Sequence, residues 1–390
     1  MKIRILFSLL AAIVLNGCQQ PLQNGDTRTE QYLPLLESRQ VAVFSNHTGM
    51  VGDRHLVDLL LENRVNVTAI FSPEHGFRGK ADAGAGVSDS TDPDTGIPIL
   101  SLYGPGGDVH PSADALSRFD VLVVDIQDVG LRFYTYYITL CHLVDVCGEF
   151  GKEVIILDRP NPNGHYVDGP VLDMRLRSGV GHLPIPVVHG LTLAELIGMA
   201  QGEGWLSEAG NRCKVTPVLC KHYTHGTPCD IPIAPSPNLP NLQSIYLYPS
   251  LCPFEGTVVS LGRGTDKPFQ QYGHPAMEGR YAYSFTPESR PGALNPPLKG
   301  QVCYGVDLSA LPDAREKGLD LSYVIDAYSI LREKGQADGF FTPFFDKLLG
   351  VTWVREMIEE GCSAAQIRER WMPEVEAFKV LRKKYLLYEE

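Results

Sequence analysis

The stretch FSPEHGFRG, residues 71–79, places a carboxylic acid, Glu74, beside an imidazole, His75, directly behind an apolar run. A carboxyl at such an edge can protonate a leaving oxygen if burial or a neighbouring negative charge raises its pKa. A glutamate that follows proline has no capping reason to sit there, and Gly76 and Gly79 allow close backbone approach. Other polar groups close neighbouring apolar runs: Ser45, Asn46 and His47; Tyr103; Asp125, Gln127 and Asp128; Asp158, Arg159 and Asn161. Each has a plainer reading. Asn46 and Asp158 can cap turns, His47 can be a packed histidine, and Asp125 can point into the sheet while Asp128 turns to the cleft.

Two further constellations lie downstream. In FEGTVVSLGRGT, residues 254–265, glycines flank Arg263 and can present its guanidinium to a carboxylate or phosphate, or form a tight turn with a solvated arginine. PSPNLP, residues 235–240, holds Asn238 between prolines, as a structural corner or a sugar-contacting amide.

Such residues need a frame. From residue 41 the apolar runs VAVFSN, VTAIFS, IPILSLYG, DVLVVDIQ and KEVIILDRP recur, most of them followed by segments of helical period. Runs without polar alternation are strands buried on both faces, so a doubly wound parallel α/β sheet of at least five strands is expected. In open sheets of this kind ligands bind beyond the carboxyl ends of the strands, where the polar clusters fall. ADAGAGVSDSTDPDTG, residues 81–96, reads as loop. From about 228 to 300 proline, glycine and aromatics dominate, and regular helix is not expected. Later residues return to a strand, QVCYGVDLSAL, and helices, the last opened by a Ser363–Gln366 capping box.

Composition narrows the function. The amino terminus, MKIRILFSLLAAIVLNGCQQ, has two cations, then an apolar stretch too short to span a bilayer, then Gly17 and Cys18, the order of a lipoprotein signal. Residues 1–17 are expected to be removed and Cys18 lipidated, with residues 18–32 a flexible tether. The exported protein would be held at the bacterial envelope, in the periplasm, and touch the membrane only through that lipid. Loss of Lys2 and Arg4 takes the formal charge from −12 to −14, which repels nucleic acid. Cys141 and Cys147, if on one helix, rise about 9 Å apart and cannot bridge. Cys213, Cys220 and Cys229 lack zinc spacing and read as buried thiols or disulfides. No GxGxxG, Walker, GxSxG or HExxH motif occurs, so no cofactor is expected.

SNHTG, FSPEHGFRG, DIQDVGLRFYTYYITL, LDRPNPNG, HGLTLAEL, PSPNLP, YPSLCPFEGT and SLGRGTDKPF together, in order, resemble the NamZ-like exo-β-N-acetylmuramidase family. The resemblance implies a Rossmann-like catalytic domain over 33–230, a smaller α+β domain over 231–390 completing a cleft, and removal of N-acetylmuramic acid from the non-reducing end of peptidoglycan fragments of the MurNAc-GlcNAc type. It puts Glu74 in the place of the family's proposed catalytic glutamate. Asp128 is a candidate second catalytic group, as is Glu255, and the substrate's own acetamido group is a third possibility. Asn46, His75, Arg132, Tyr134, Asn238, Glu255 and Arg263 match positions that contact substrate. Some relatives have glutamate where Leu261 stands, so that acid is not shared. Arg132, Arg159 and Arg263 are the cations available to a lactyl carboxylate. Competing readings are a non-catalytic cell-wall-fragment binding lipoprotein and a metal-dependent hydrolase on Glu74, His75, Asp125 and Asp128.

Overall fold

The computed structural model describes residues 20–73, 77, 89–100, 102 and 111–390. Glu74, His75, Tyr103, Cys18 and residues 81–88 lie outside them; within the rest of the 81–96 stretch expected as loop, Ser90–Thr91 is instead a short edge strand, held by backbone pairing with Pro98 and Ile99. The principal sheet contains β1 (Gln40–Ser45), β2 (Asn66–Phe71), β3 (Ser90–Thr91), β4 (Pro98–Leu100), β5 (Val121–Asp125), β6 (Glu153–Leu157) and β7 (Val215–Val218). Their order is β3-β4-β2-β1-β5-β6-β7, parallel except for the β3–β4 pair. The chain thus builds outward from β1 through β2 to β4, then crosses back and builds the other way from β5. The switch point lies between β1 and β5, where Ser45 is in register with Asp125, and an open sheet offers a crevice there.

Alternation along β1 shows why the runs are continuous. Val41 and Val43 enter one apolar core with Tyr32, Leu36, Leu56 and Leu60, while Ala42 and Phe44 enter another. The first layer is supplied by α1 (Thr29–Leu36) and α2 (Leu56–Glu62); the second by α3 (Tyr136–Glu149) and α4 (Leu193–Gly202). α4 is fixed at its start by a Thr192–Glu195 capping box.

The remainder of the chain packs on that second face. It contains α5 (Leu242–Leu251), an antiparallel sheet ordered β8 (Gln271–His274), β10 (Cys303–Asp307), β9 (Tyr283–Phe285), and helices α6 (Ser322–Glu333) and α7 (Ala364–Arg382). The capping box expected at Ser363 and Gln366 is present. One core cluster runs without a break from Ala42 and Phe44 through Tyr248 and Phe254 to Trp371 and Phe378. Polar latches reinforce it: Trp371 Nε1 donates to Asp168 Oδ1 at 2.9 Å, Arg368 pairs with the same carboxylate, and Arg382 Nη1 donates to Gly190 O at 2.6 Å. The last residues return to the strand ends, where the Tyr388 hydroxyl donates to Asp158 Oδ2 at 2.7 Å.

Two further expectations are corrected. The tether over residues 18–32 is packed from Gln23 onward: Gln23 and Lys221 exchange backbone hydrogen bonds at 3.0 and 2.8 Å, Gly25 N donates to Asp158 O at 2.9 Å, and α1 buries Tyr32. These partners lie far along the chain, so local composition does not reveal them. The proline-rich region also contains a regular helix, α5, capped by Asn241 and Ser244. Pro249 sits near its end and gives no N–H to Ile245 O, which accepts from Asn163 Nδ2 at 3.5 Å instead. The eight cysteines from Cys141 to Cys362 are free thiols, seven of them buried.

Candidate active site

At the switch point, side chains lace three segments together. Asn46 Oδ1 accepts from Thr48 N at 2.9 Å and Thr48 Oγ1 at 2.7 Å, and its Nδ2 donates to the Tyr136 hydroxyl at 3.1 Å. Tyr136 and Tyr134 both donate to Pro235 O, at 3.1 and 3.0 Å. His47 Nε2 bonds Ala234 O at 2.8 Å, and Gln127 N donates to Thr48 Oγ1 at 3.1 Å. The ends of β1 and β5 are therefore tied to PSPNLP. Asn46 is fully buried, and both ends of its amide are engaged in holding this junction.

Asp128 stands just beyond β5. Its Oδ1 accepts from Gly130 N at 2.7 Å, and Oδ2 is buried with no hydrogen-bond partner among the described residues. Burial pushes its carboxyl up to about 7, against the pull of the backbone N–H groups. Below the strand ends is a cavity of about 10 Å³ whose lining includes Asp128, Asp158, Arg159, Asn161 and Thr192, space for about one water. The Tyr134 hydroxyl lies within electrostatic reach of both Asp128 and Tyr248.

Two of the three expected arginine forks are otherwise engaged. Arg132 has no exposure and donates from Nη1 to Pro170 O and Ile185 O, at 2.7 and 2.8 Å, and from Nη2 to Leu348 O at 3.0 Å. Its assignment as a substrate contact is corrected: it is a buried clamp between the two parts of the chain. Arg159 Nε donates to Asp125 Oδ1 at 2.6 Å, and its Nη2 to Asp26 Oδ2 at 2.6 Å and Asp125 Oδ2 at 3.1 Å. Burial, then the negative charge of Asp125, pushes Asp26 up to about 7. Both Asp125 oxygens are thereby taken, which removes a ligand from the metal-hydrolase reading; among the described residues no cluster of three or more metal-type side chains occurs.

The opposite wall comes from the second part of the chain. Tyr134 meets Tyr248 at 6.2 Å between ring centroids, Tyr248 meets Phe269 edge-on at 4.7 Å, and the Arg263 guanidinium lies 5.1 Å from the Phe269 centroid. Arg263 directs Nε and Nη2 to Glu255 Oε1, at 2.7 and 2.6 Å. Its Nη1 makes no hydrogen bond among the described residues, and Glu255 Oε2 has only the Cys252 thiol at 3.8 Å. Asn238 Nδ2 donates to Gly292 O at 2.9 Å. Leu261 is buried in the core.

Of the expected site residues, Asn46, Asp128, Tyr134, Asn238, Glu255 and Arg263 converge through these contacts, and Arg132 does not join them. Phe71 and Phe77, which flank Glu74 in sequence, are buried, Phe71 against Phe119 and Phe77 against His55. Sequence reasoning passed over Tyr136 and Tyr248, although both lie inside quoted motifs, DIQDVGLRFYTYYITL and YPSLCPFEGT.

Comparisons with known proteins agree with this arrangement. Residues 41–243 match a family model described as exo-β-N-acetylmuramidase NamZ, N-terminal, and residues 246–388 match its C-terminal counterpart. The chain is 34% identical over 393 residues to the peptidoglycan β-N-acetylmuramidase NamZ of Bacillus subtilis, covering 94% of this chain and 91% of that protein. It is also similar to two crystal structures of DUF1343 family proteins from Bacteroides fragilis. One is 55% identical with a TM-score of 0.87, covering 95% of this chain and 100% of that one; the other is 27% identical with a TM-score of 0.79, covering 94% and 99%.

Proposed function

The chain belongs to the NamZ exo-β-N-acetylmuramidase family, and from that premise we propose that it hydrolyses terminal N-acetylmuramic acid from the non-reducing end of peptidoglycan fragments during cell-wall turnover. The observation that carries the reading is Asp128: a carboxyl at the switch point with one buried oxygen, unpartnered among the described residues, and a pKa brought to about 7. Glycoside hydrolysis with inversion uses two carboxyls, one giving a proton to the departing oxygen and one taking a proton from the attacking water. Glu74, which follows Pro73 in sequence just past β2, is assigned the first role and Asp128 the second. The C1–O bond breaks as Glu74 protonates the leaving sugar, and water bonds to C1 as it releases its proton to Asp128. Arg263 Nη1 is the cation offered to the lactyl carboxylate, with Glu255 holding the guanidinium in its plane. Asn238 and His75 complete the contacts to the sugar.

The test uses the chain from Gln19 onward, which contains every described residue. Incubated with MurNAc-GlcNAc, the wild type is expected to release free N-acetylmuramic acid, and Glu74→Gln to do so about 100- to 10,000-fold more slowly, the range typical of a lost acid. Binding without release by the wild type would replace the hydrolase with a fragment-binding protein. Equal rates would remove Glu74 from the chemistry.

Export and lipidation at Cys18 are part of the same proposal, supported by the charged, apolar and small-residue order of the amino terminus. Among the described residues no helix is long and apolar enough to cross a membrane. In cells fed a clickable fatty acid, the full-length chain is expected to carry label and pellet with membranes, and Cys18→Ala to lose both. Retention of label by the variant would refute lipidation there.

A further inference from the structure

Asn238 and the Arg263 segment belong to motifs separated in sequence, yet one loop touches both. Arg290 and Ala293 exchange backbone hydrogen bonds, N to O at 3.2 and 2.9 Å, closing a four-residue turn, RPGA. Proline in its second position and Gly292 at φ +81° in its third fit a type II turn, which needs no side chain at the third place. The tip is pressed against PSPNLP: a Cβ on Gly292 would lie 2.7 Å from Pro237 Cβ, and the Gly292 carbonyl takes the Asn238 Nδ2 proton at 2.9 Å. The other side of the loop is pinned to the arginine motif. Glu288 N donates to Gly264 O at 2.9 Å, Arg290 pairs with Asp266, and Pro296 packs against Gly264.

A carboxamide can be flipped at little cost unless one end is held. Here the carbonyl at the tip holds the nitrogen end. We propose that the Arg290–Ala293 turn is a positioning device for the hydrolysis: it fixes the Asn238 amide with Oδ1 as the free acceptor for a sugar N–H or hydroxyl, and ties that acceptor to the Arg263 cation at a set separation. This rests on the glycosidase reading for its substrate. The turn touches no reacting atom; it acts through Asn238.

A double-mutant cycle on the chain from Gln19 onward tests it, with MurNAc-GlcNAc as substrate and a melting curve for each variant. Gly292→Ala, strained at its φ and in contact with Pro237, is expected to lower kcat/KM about tenfold, chiefly by raising KM, the effect of one misplaced hydrogen bond. Asn238→Ala is expected to lose a similar factor, and the double variant no more than about twofold beyond Asn238→Ala alone. Arg290→Ala, a surface change at the far side of the turn, is expected to raise KM in the wild-type background and leave it unchanged in the Asn238→Ala background. Losses that multiply in either double variant, or an unchanged KM in both Gly292→Ala and Arg290→Ala, would overturn the proposal. If the wild type releases no sugar, the hydrolase reading falls by itself; calorimetric titration of the same chains with the disaccharide then decides the turn, and equal Kd values for wild type and Gly292→Ala overturn it.

Discussion

Asp128→Asn is expected to lower kcat/KM on MurNAc-GlcNAc about 100- to 10,000-fold, the range for removal of a positioned proton acceptor. Asparagine keeps the oxygen that accepts from Gly130 N and discards only the ability to hold a proton, so the loss reports chemistry rather than shape. The pH profile gives a second readout. A base with its pKa at about 7 must be ionised, so wild-type kcat/KM should rise as pH increases through about 7, and the residual activity of the variant should lack that limb. Stability carries the opposite sign. The folded carboxyl holds its proton more tightly than the unfolded one, whose ordinary value is 3.8, so the contribution of Asp128 to stability falls as pH rises from about 4 to about 7 and is level above that. The stability of Asp128→Asn relative to wild type should therefore improve over that interval. Activity within tenfold of wild type, or an unaltered acid limb, would remove Asp128 from the proposed mechanism.

Arg159→Met is expected to destabilise the protein by about 3 to 5 kcal/mol at pH 8, measured by urea unfolding, the usual result of leaving a buried ion pair with one side missing. Methionine approximates the arginine stem, so packing is largely kept. What remains is two carboxylates, Asp26 and Asp125, both without exposure and both deprived of the guanidinium that lies 2.6 Å from each. Desolvation already pushes Asp26 up to about 7 in the wild type, and removing the cation raises it further. Protonation relieves the variant, so its deficit should shrink from pH 8 toward pH 5. A deficit under about 1 kcal/mol at pH 8, or one independent of pH, would mean that the triad is not the electrostatic unit described here.

The sheet and its switch point were legible because buried strands announce themselves through unbroken apolar runs, and because polar residues at the strand ends have few other reasons to gather. Asp128 could be picked out on those grounds, and Asn238 by the prolines that flank it. The arginines could not be sorted, since the role of a guanidinium depends on what surrounds it after folding. Arg132 finds carbonyls at Pro170, Ile185 and Leu348, and Arg159 finds Asp26 from a segment that reads as linker. Both relations span 30 residues or more of chain, and neither leaves a local pattern. Helix α5 was hidden by its prolines, although Asn241 and Ser244 formed a legible cap. The Arg290–Ala293 turn was missed for a different reason: a proline–glycine pair marks a bend but says nothing about which amide the bend will meet.

The unbroken core from Phe44 to Phe378, tied off by Tyr388 on Asp158, means that the boundary between the two matched regions is a boundary of ancestry and not of cooperativity. Cutting the chain near residue 244 would strip α4 and the sheet of the cover that α7 and its tail supply, and would leave Asp168 and Gly190 without their distant donors. The halves must melt together as one thermodynamic unit. Evolution could then exchange rim loops freely, whereas shuffling either half onto another scaffold would demand rebuilding its partner's buried surface at the same time.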